Sequence, residues 1–321
     1  MKEIVSKIPT HLIEAELTPE KFMRDTNKGG NKIYIVTAAD SPNIMQEIGR
    51  LREITFRQAG GGTGKETDID KYDTAEVPYK QLIVWDPDAK EILGGYRYIL
   101  CNQLGYNAEG EPNLATARMF HFSQKFIKEY LPQTIELGRS FVQPEYQSSK
   151  AGAKALFALD NLWDGLGALT VDHPEMKYFF GKVTMYTHFN VEARNHILYF
   201  LNMYFNDKDK LVYPKEDFNL AYDFNGIDQF YSGNNFADDY KTLSKKVREL
   251  GENIPPLVNA YMNLSPTMKT FGTALNDVFG DVEETGIILT IDDIYAAKRD
   301  RHVETYISSR DNTKETQIIS H

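Results

Sequence analysis

Four short stretches carry side chains that could do chemistry together. Arg52 and Phe56 stand four residues apart, so on a helix they share a face. Asp68, Asp70 and Asp73 put three carboxylates into the six-residue run Asp68-Ile69-Asp70-Lys71-Tyr72-Asp73. Gly94 and Arg97 close the stretch Glu91-Ile92-Leu93-Gly94-Gly95-Tyr96-Arg97. Glu136-Leu137-Gly138-Arg139 runs on into Ser140-Phe141-Val142-Gln143-Pro144-Glu145-Tyr146. Taken singly, each has an ordinary reading. An acidic loop is usually solvated, an arginine on a strand is more often an ion-pair partner than a catalyst, and Glu136 with Arg139 can be a structural pair. As a set they say more: arginines and carboxylates on elements that pack together must balance one another, because unpaired buried charge is costly.

One glycine-rich stretch is a decoy. Gly60-Gly61-Gly62-Thr63-Gly64-Lys65 resembles a phosphate loop. That motif needs a glycine where Ala59 stands and Ser or Thr where Glu66 stands, and it belongs between a strand and a helix, whereas this run follows a helix.

The elements that must position these residues can be read from periodicity. Lys32–Ala38 is a short strand. Ser41-Pro42 supplies an N-cap and a proline at the first helical position, and Ile44, Ile48 and Leu51 then recur at helical spacing to about Gln58. Leu82–Asp86 and Ile92–Ile99 flank Pro87-Asp88-Ala89-Lys90, a turn that makes an antiparallel hairpin. Thr134–Val142 is a strand broken by Pro144. Lys150–Leu169 is a helix with one apolar stripe, Tyr178–Met185 a strand and Val191–Tyr204 a helix. Later come helices over Asp238–Leu250 and Pro256–Met262 and a strand over Glu284–Ile291. This order predicts an α+β fold, a mixed sheet flanked by helices. Residues 1–31 read as an N-terminal extension, 32–205 as the core, and 206–321 as an elaboration packed on the same domain.

Composition bounds the rest. The chain has 321 residues, 41% of them hydrophobic, enough for one large domain or one and a half. Its formal net charge of −10 makes free nucleic acid a poor partner. The single cysteine, Cys101, excludes an internal disulfide and a cysteine-built zinc site. No apolar run approaches the ~20 residues that span a bilayer, and the N-terminus lacks the apolar core of a secretory signal, so a cytoplasmic location is expected. The aromatic residues, 12% of the chain, read as packed core or as an apolar channel for a greasy ligand.

The four stretches together resemble the acyl-homoserine-lactone autoinducer synthases and, more closely, the ornithine- and glycine-lipid N-acyltransferases. The shared pattern is Arg52 and Phe56 on the first helix, then Asp68, Asp70, Tyr72 and Asp73, then Gly94 and Arg97. It closes with Glu136, Leu137, Arg139, Val142, Pro144 and Tyr146. The likeness is dense over 33–200 and continues in Ile254–Leu264 and in the strand near Glu284–Ile291.

The resemblance implies a GNAT-like fold and transfer of a long-chain acyl group, with or without a 3-hydroxyl, from acyl-acyl-carrier-protein to the amine of an amino acid of the glycine or ornithine type. No tightly bound cofactor or metal is implied. Glu136 is the candidate base, and a backbone N–H near Phe141 or Val142 the candidate oxyanion donor. Arg139, Arg97 and Arg52 are expected to hold the acidic loop, with one of them a candidate bidentate clamp for the substrate carboxylate. Asp68, Asp70 and Asp73 either fix the substrate amine or lock the fold. Ordinary GNAT enzymes cradle a pyrophosphate on a glycine-rich turn at a helix N-terminus. Here that turn is Gln147-Ser148-Ser149-Lys150-Ala151-Gly152, with a single glycine. That suits a protein-borne phosphopantetheine better than coenzyme A, though acyl-CoA stays open as donor. Lys150 and Lys154 are the candidate docking cations for the acidic carrier. A lipid product implies transient contact with the inner face of the membrane. Competing readings are a non-catalytic lipid-binding protein on the same fold and an autoinducer synthase using S-adenosylmethionine. No histidine is followed five residues later by aspartate, so the O-acylation pattern of membrane acyltransferases is absent.

Overall fold

A computed structural model describes residues 1–147 and 152–310, side chains at 152–156 excepted. In chain order the elements are α1 (Thr10–Glu16), β1 (Phe22–Asp25), β2 (Lys32–Val36), α2 (Pro42–Gln58), β3 (Lys80–Asp86), β4 (Glu91–Leu100), β5 (Phe120–Phe122), β6 (Thr134–Val142), α3 (Gly152–Asp172), β7 (Tyr178–Met185), α4 (Val191–Phe205), β8 (Val212–Pro214), α5 (Phe236–Glu249), α6 (Pro256–Met262), β9 (Lys269–Asn276), β10 (Val282–Thr290) and α7 (Ala296–Arg299). Eight strands form one sheet in the order β1-β2-β3-β4-β6-β7-β10-β9, and β5 pairs with β8 separately. Within the large sheet β6 and β7 run parallel and the other pairs antiparallel. The α+β class and the mixed, helix-flanked sheet are as the element order predicts.

Side-chain alternation gives the sheet two faces. On one, Leu82, Val84, Ile135 and Leu137 bury against Leu162 and Leu166 of α3 and Ile197 of α4. The other face is covered in two blocks. Ile83, Trp85 and Phe141 lie with Ile44, Ile48 and Leu51 of α2. Ile99, Phe180 and Ile288 lie with Phe120, Phe126 and Leu211, which come from the connections around β5 and β8. Between these blocks a polar row crosses five strands: Gln81 on β3, Arg97 on β4, Glu136 and Arg139 on β6, Lys182 on β7 and Glu284 on β10.

One expectation is corrected here, and both ends of the chain add strands to the sheet. Ser41 does not cap α2; its hydroxyl donates to Asp40 (2.7 Å). The cap is Glu16 of α1, whose carboxylate accepts from the backbone N–H groups of Asn43 (3.0 Å) and Ile44 (2.8 Å), with the negative charge at the end of the helix that the dipole favours. The segment ahead of Lys32 is more than an extension, because β1 forms an edge of the sheet. Arg24 on it donates to the carbonyl of His302 (3.1 Å) and lies buried against α3. At the opposite edge, residues beyond 206 supply β9 and β10. Strand β9 gives no sequence signal: Lys269–Asn276 has weak alternation and a central Gly272 with φ of 84°. Among the described residues no helix is long and apolar enough to cross a membrane.

Candidate active site

The acidic loop is seated on α2 by an absence. A Cβ on Gly49 would come within 2.7 Å of Ile69, so only glycine lets the loop lie flat on the helix, and the Gly49 carbonyl accepts from the Asp68 N–H (3.0 Å). One turn further along α2, Arg52 is fully buried. Its guanidinium donates to Gln81 Oε1 (2.5 Å) and to Asp73 Oδ1 (3.4 Å). Gln81 in turn donates to Asp73 Oδ1 (3.0 Å). From β4, one terminal nitrogen of Arg97 reaches both Asp70 Oδ2 (2.8 Å) and Asp73 Oδ2 (3.2 Å). Burial works against ionisation of Asp73, but Arg52 and Arg97 outweigh it and lower its pKa to about 2. The same pairs hold Arg97 above its ordinary value despite its burial.

Strand β6 carries an irregularity at its centre. Gly95 pairs with Phe141, yet Arg97 pairs with Gly138, so β6 holds one residue more than β4 across this stretch. This is a β-bulge, and Arg139 occupies it with φ of 49°, in the left-handed region uncommon for a non-glycine residue. The bulge resets the side-chain phase. In a regular strand Arg139 and Phe141 would follow Ile135 and Leu137 onto the α3 face. The extra residue turns both to the other face, where Arg139 meets the acidic loop and Phe141 joins the α2 block. Gly94 permits the close approach of β4, since a Cβ there would fall 2.4 Å from the Phe141 carbonyl oxygen. Just before the bulge, the parallel pairing of β6 with β7 stops at Glu136 and Phe180. Both strands continue, to Val142 and Met185, so they part and leave that side of β6 without a ladder partner from β7.

A cleft of about 400 Å³ lies at this parting. Its wall carries six cations, Lys71, Arg97, Arg118, Arg139, Lys182 and Lys215, against the carboxylates Asp70 and Glu111. Such a surface attracts an anionic group. Asp70, the one half-buried member of the acidic trio, faces the cleft. Arg139 Nε lies 2.8 Å from Asp68 Oδ2, an ion pair not aligned as a hydrogen bond, and the guanidinium stacks 4.2 Å from the Phe279 ring centroid.

The remaining expected residues are placed as follows. Glu136 is 1% exposed and is not among the residues lining the cleft. Tyr79 donates its hydroxyl proton to one carboxyl oxygen and the Thr116 N–H donates to the other (3.2 Å). Burial raises its pKa, partly offset by those two hydrogen bonds. Arg52, Asp68 and Asp73 are buried beneath the cleft, and Phe56 packs edge-on against Phe279 at 5.1 Å between centroids. These four are therefore supports rather than contact surfaces, while Asp70, Arg97 and Arg139 reach the cleft. Val142 is half-buried. Gln147 donates its side-chain amide to the Val142 carbonyl (2.5 Å), at the end of β6. Gly152 opens α3. Lys150 and the Lys154 side chain lie outside the described residues. In the glycine decoy, Glu53 accepts from the N–H groups of Thr63 (3.1 Å) and Gly64 (2.7 Å), donors that a phosphate would need.

Four residues escaped the sequence reading: Tyr79, Gln81, Lys182 and Glu284. Each is a polar side chain at the inward phase of an otherwise apolar strand, or at its mouth. Isolated polar residues of that kind are the signal that could have found them.

Comparison with known proteins agrees with this geometry. Residues 51–156, from α2 through the bulge to the start of α3, match the acetyltransferase (GNAT) domain family. The chain is 58% identical over 307 residues to a glycine N(alpha)-acyltransferase of Phocaeicola vulgatus, covering 96% of this chain and 94% of that one. It is 59% identical over 309 residues to a glycine N(alpha)-acyltransferase of Bacteroides thetaiotaomicron, covering 96% and 92%. No solved structure matches it. With identity of this order over nearly the full length, the chain belongs to the glycine N(alpha)-acyltransferase family and is a GNAT-fold N-acyltransferase that acts on an amino acid.

Proposed function

We propose that the enzyme transfers a long-chain acyl group from the phosphopantetheine thioester of acyl carrier protein to the amine of glycine. The observation that carries the acceptor is the near full-length identity to the two glycine N(alpha)-acyltransferases. The donor rests on the turn Gln147–Gly152, whose single glycine makes a poor pyrophosphate cradle. A 3-hydroxylated chain rests on the likeness to the lipid N-acyltransferases, as do a cytoplasmic location and visits to the membrane surface to release an amphiphilic product.

The chemistry follows from the site. The pantetheine arm enters where β6 parts from β7, and the thioester carbonyl oxygen takes a backbone N–H of β6 beyond the bulge, near Phe141 and Val142. The glycine ammonium gives up a proton and its nitrogen attacks the carbonyl carbon. Collapse of the tetrahedral intermediate breaks the C–S bond, forms the amide and returns a proton to the pantetheine sulfur. Glu136 is the proton acceptor. Burial raises its pKa, which suits a carboxylate that must take up a proton. Its enclosure means that the proton arrives through an intervening water rather than by direct contact.

Incubating the purified protein with a long-chain 3-hydroxyacyl carrier protein and a mixture of amino acids, followed by mass spectrometry, tests this reading. N-acylglycine as the dominant product, formed faster from the carrier protein than from the matching acyl-CoA, is expected. A different acylated amino acid would overturn the acceptor. Equal use of acyl-CoA would overturn the donor.

A further inference from the structure

We propose that Lys182 and Arg139, which line one cleft at the parting of β6 and β7, form the subsite for the α-carboxylate of the amino-acid acceptor, with Glu284 as the bracket that holds Lys182. The proposal rests on the acceptor reading above and deepens it. Both side chains are mostly buried and both line the cleft, Arg139 from the bulge of β6 and Lys182 from β7, two residues beyond the last paired position, Phe180. They are close enough for the positive charge of Arg139 to be felt at the Lys182 amine.

What sets these two apart is that they combine unused hydrogen-bonding capacity with burial, each 14% exposed against 22% for Lys215 and 36% for Arg118. Arg118 is committed to Asp277 (2.5 Å) and Lys215 to Glu111 (2.9 Å). Arg97 is spent on Asp70 and Asp73, and Lys71 lies over the Tyr72 ring at the rim. Lys182 donates to Glu284 alone among the described residues, although an ammonium has three N–H donors. Arg139 makes no hydrogen bond among the described residues; its nearest acceptors are Asp68, as an ion pair, and Asp70 at 3.9 Å. Two mostly buried cations with free donors, lining one opening from two strands, suit a carboxylate. The planar guanidinium takes it in fork geometry and the ammonium as a point charge.

Glu284 is buried and saturated. Besides Lys182, it accepts from Asn276 Nδ2 (3.0 Å) and Thr184 Oγ1 (3.3 Å). It therefore fixes the lysine, and its charge partly offsets the burial that lowers the Lys182 pKa, rather than acting on substrate itself. Lys182 sits directly across the sheet from Gly286, which presents no side chain beside it.

Steady-state kinetics with glycine and glycinamide as acceptors, at saturating acyl donor, tests the subsite. Glycinamide has the less basic amine, so more of it is unprotonated near neutral pH, and a preference for glycine reports recognition of the carboxylate. The wild-type enzyme is expected to favour glycine strongly. Lys182→Gln should raise the glycine KM about tenfold or more, the size of a lost charge-assisted hydrogen bond, and shrink the glycine-over-glycinamide ratio. The KM for the acyl donor should not change, and Lys182→Arg should restore most of the ratio. Equal use of glycine and glycinamide by the wild type would overturn the proposal even if the glutamine variant did not fold. So would an unchanged glycine KM in a folded Lys182→Gln. If the enzyme acylates another amino acid instead, the acceptor reading fails on its own, and the same comparison with that amino acid and its amide decides the subsite.

Discussion

Two carboxyl groups on the same face of the sheet, Asp73 and Glu136, are driven in opposite directions by their surroundings. Asp73 is ringed by Arg52, Arg97 and Gln81; burial works against its ionisation, but the two arginines prevail and lower its pKa to about 2. Glu136 is buried with a phenol and a backbone N–H, and its pKa is raised. The consequences for stability have opposite signs. The pairing of Asp73 stabilises the fold fully above the unfolded carboxylate pKa of about 4, and that contribution is lost as pH falls toward about 2. Asp73→Asn should therefore flatten the acid limb of stability against pH. It should also cost about 3–5 kcal/mol at neutral pH, as expected when one partner of a buried ion pair is removed. Urea unfolding across pH measures both. Glu136 contributes the other way, favouring the fold at low pH and losing that effect as pH rises through its raised value. As proton acceptor it must be ionised, so turnover should fall on the acid side at a pH above the ordinary carboxylate range. Glu136→Gln preserves the shape and should fold normally, lose about a hundredfold or more in kcat, and lose that limb. Full activity in this variant would remove Glu136 from the mechanism.

At the scale of elements, the site depends on places where regular structure is broken. The bulge in β6 brings Arg139 to the same face as Arg97, and the early end of the β6–β7 pairing opens the cleft. Gly49 does the matching work on α2. Gly49→Ala would drive a methyl group into Ile69, at a cost of about 1–3 kcal/mol for an overpacked contact. Because Asp68 and Asp70 would shift with the loop, activity should fall by more than stability alone explains; melting and rate measured on one preparation decide it. The helices and most strands of the core were legible, since their apolar periods are strong and the sheet and helices bury them as those periods require. The N-cap was not, because the group that caps α2 is Glu16, on another helix. No local pattern around Ser41 can reveal that.

Across the whole molecule, one sheet is closed by strands from both ends of the chain, β1 at one edge and β10 and β9 at the other. The last segment also folds back over α3, where His302 bonds Asp164 (2.7 Å) and Arg24 of β1 donates to the carbonyls of both. The segment beyond 206 is thus part of the same folded body: it brings Glu284 and Phe279 to the candidate site and Val282 to the core beside it. A chain ending at Phe205 would leave β7 as an unprotected edge and expose its apolar residues. Such a truncation should fail to unfold cooperatively and should have no transferase activity. Circular dichroism against denaturant, together with the acylation assay, reads out both.

The sequence by itself determined the order of the main core elements, the α+β class and most of the charged set, Lys182 and Glu284 excepted. Period and residue type are local properties, and Arg52, Asp73, Arg97, Glu136 and Arg139 carry the acyltransferase pattern in their spacing. It also showed that these charges must balance one another if buried. Only the tertiary structure decided which of them face the cleft and which lie beneath it, because that depends on one extra residue in β6 that reverses the phase of its side chains. It alone enclosed Glu136 behind Tyr79 and Thr116 and brought Lys182 and Arg139 to one cleft. Those contacts join strands and loops far apart in the chain, and no local rule of spacing brings them together.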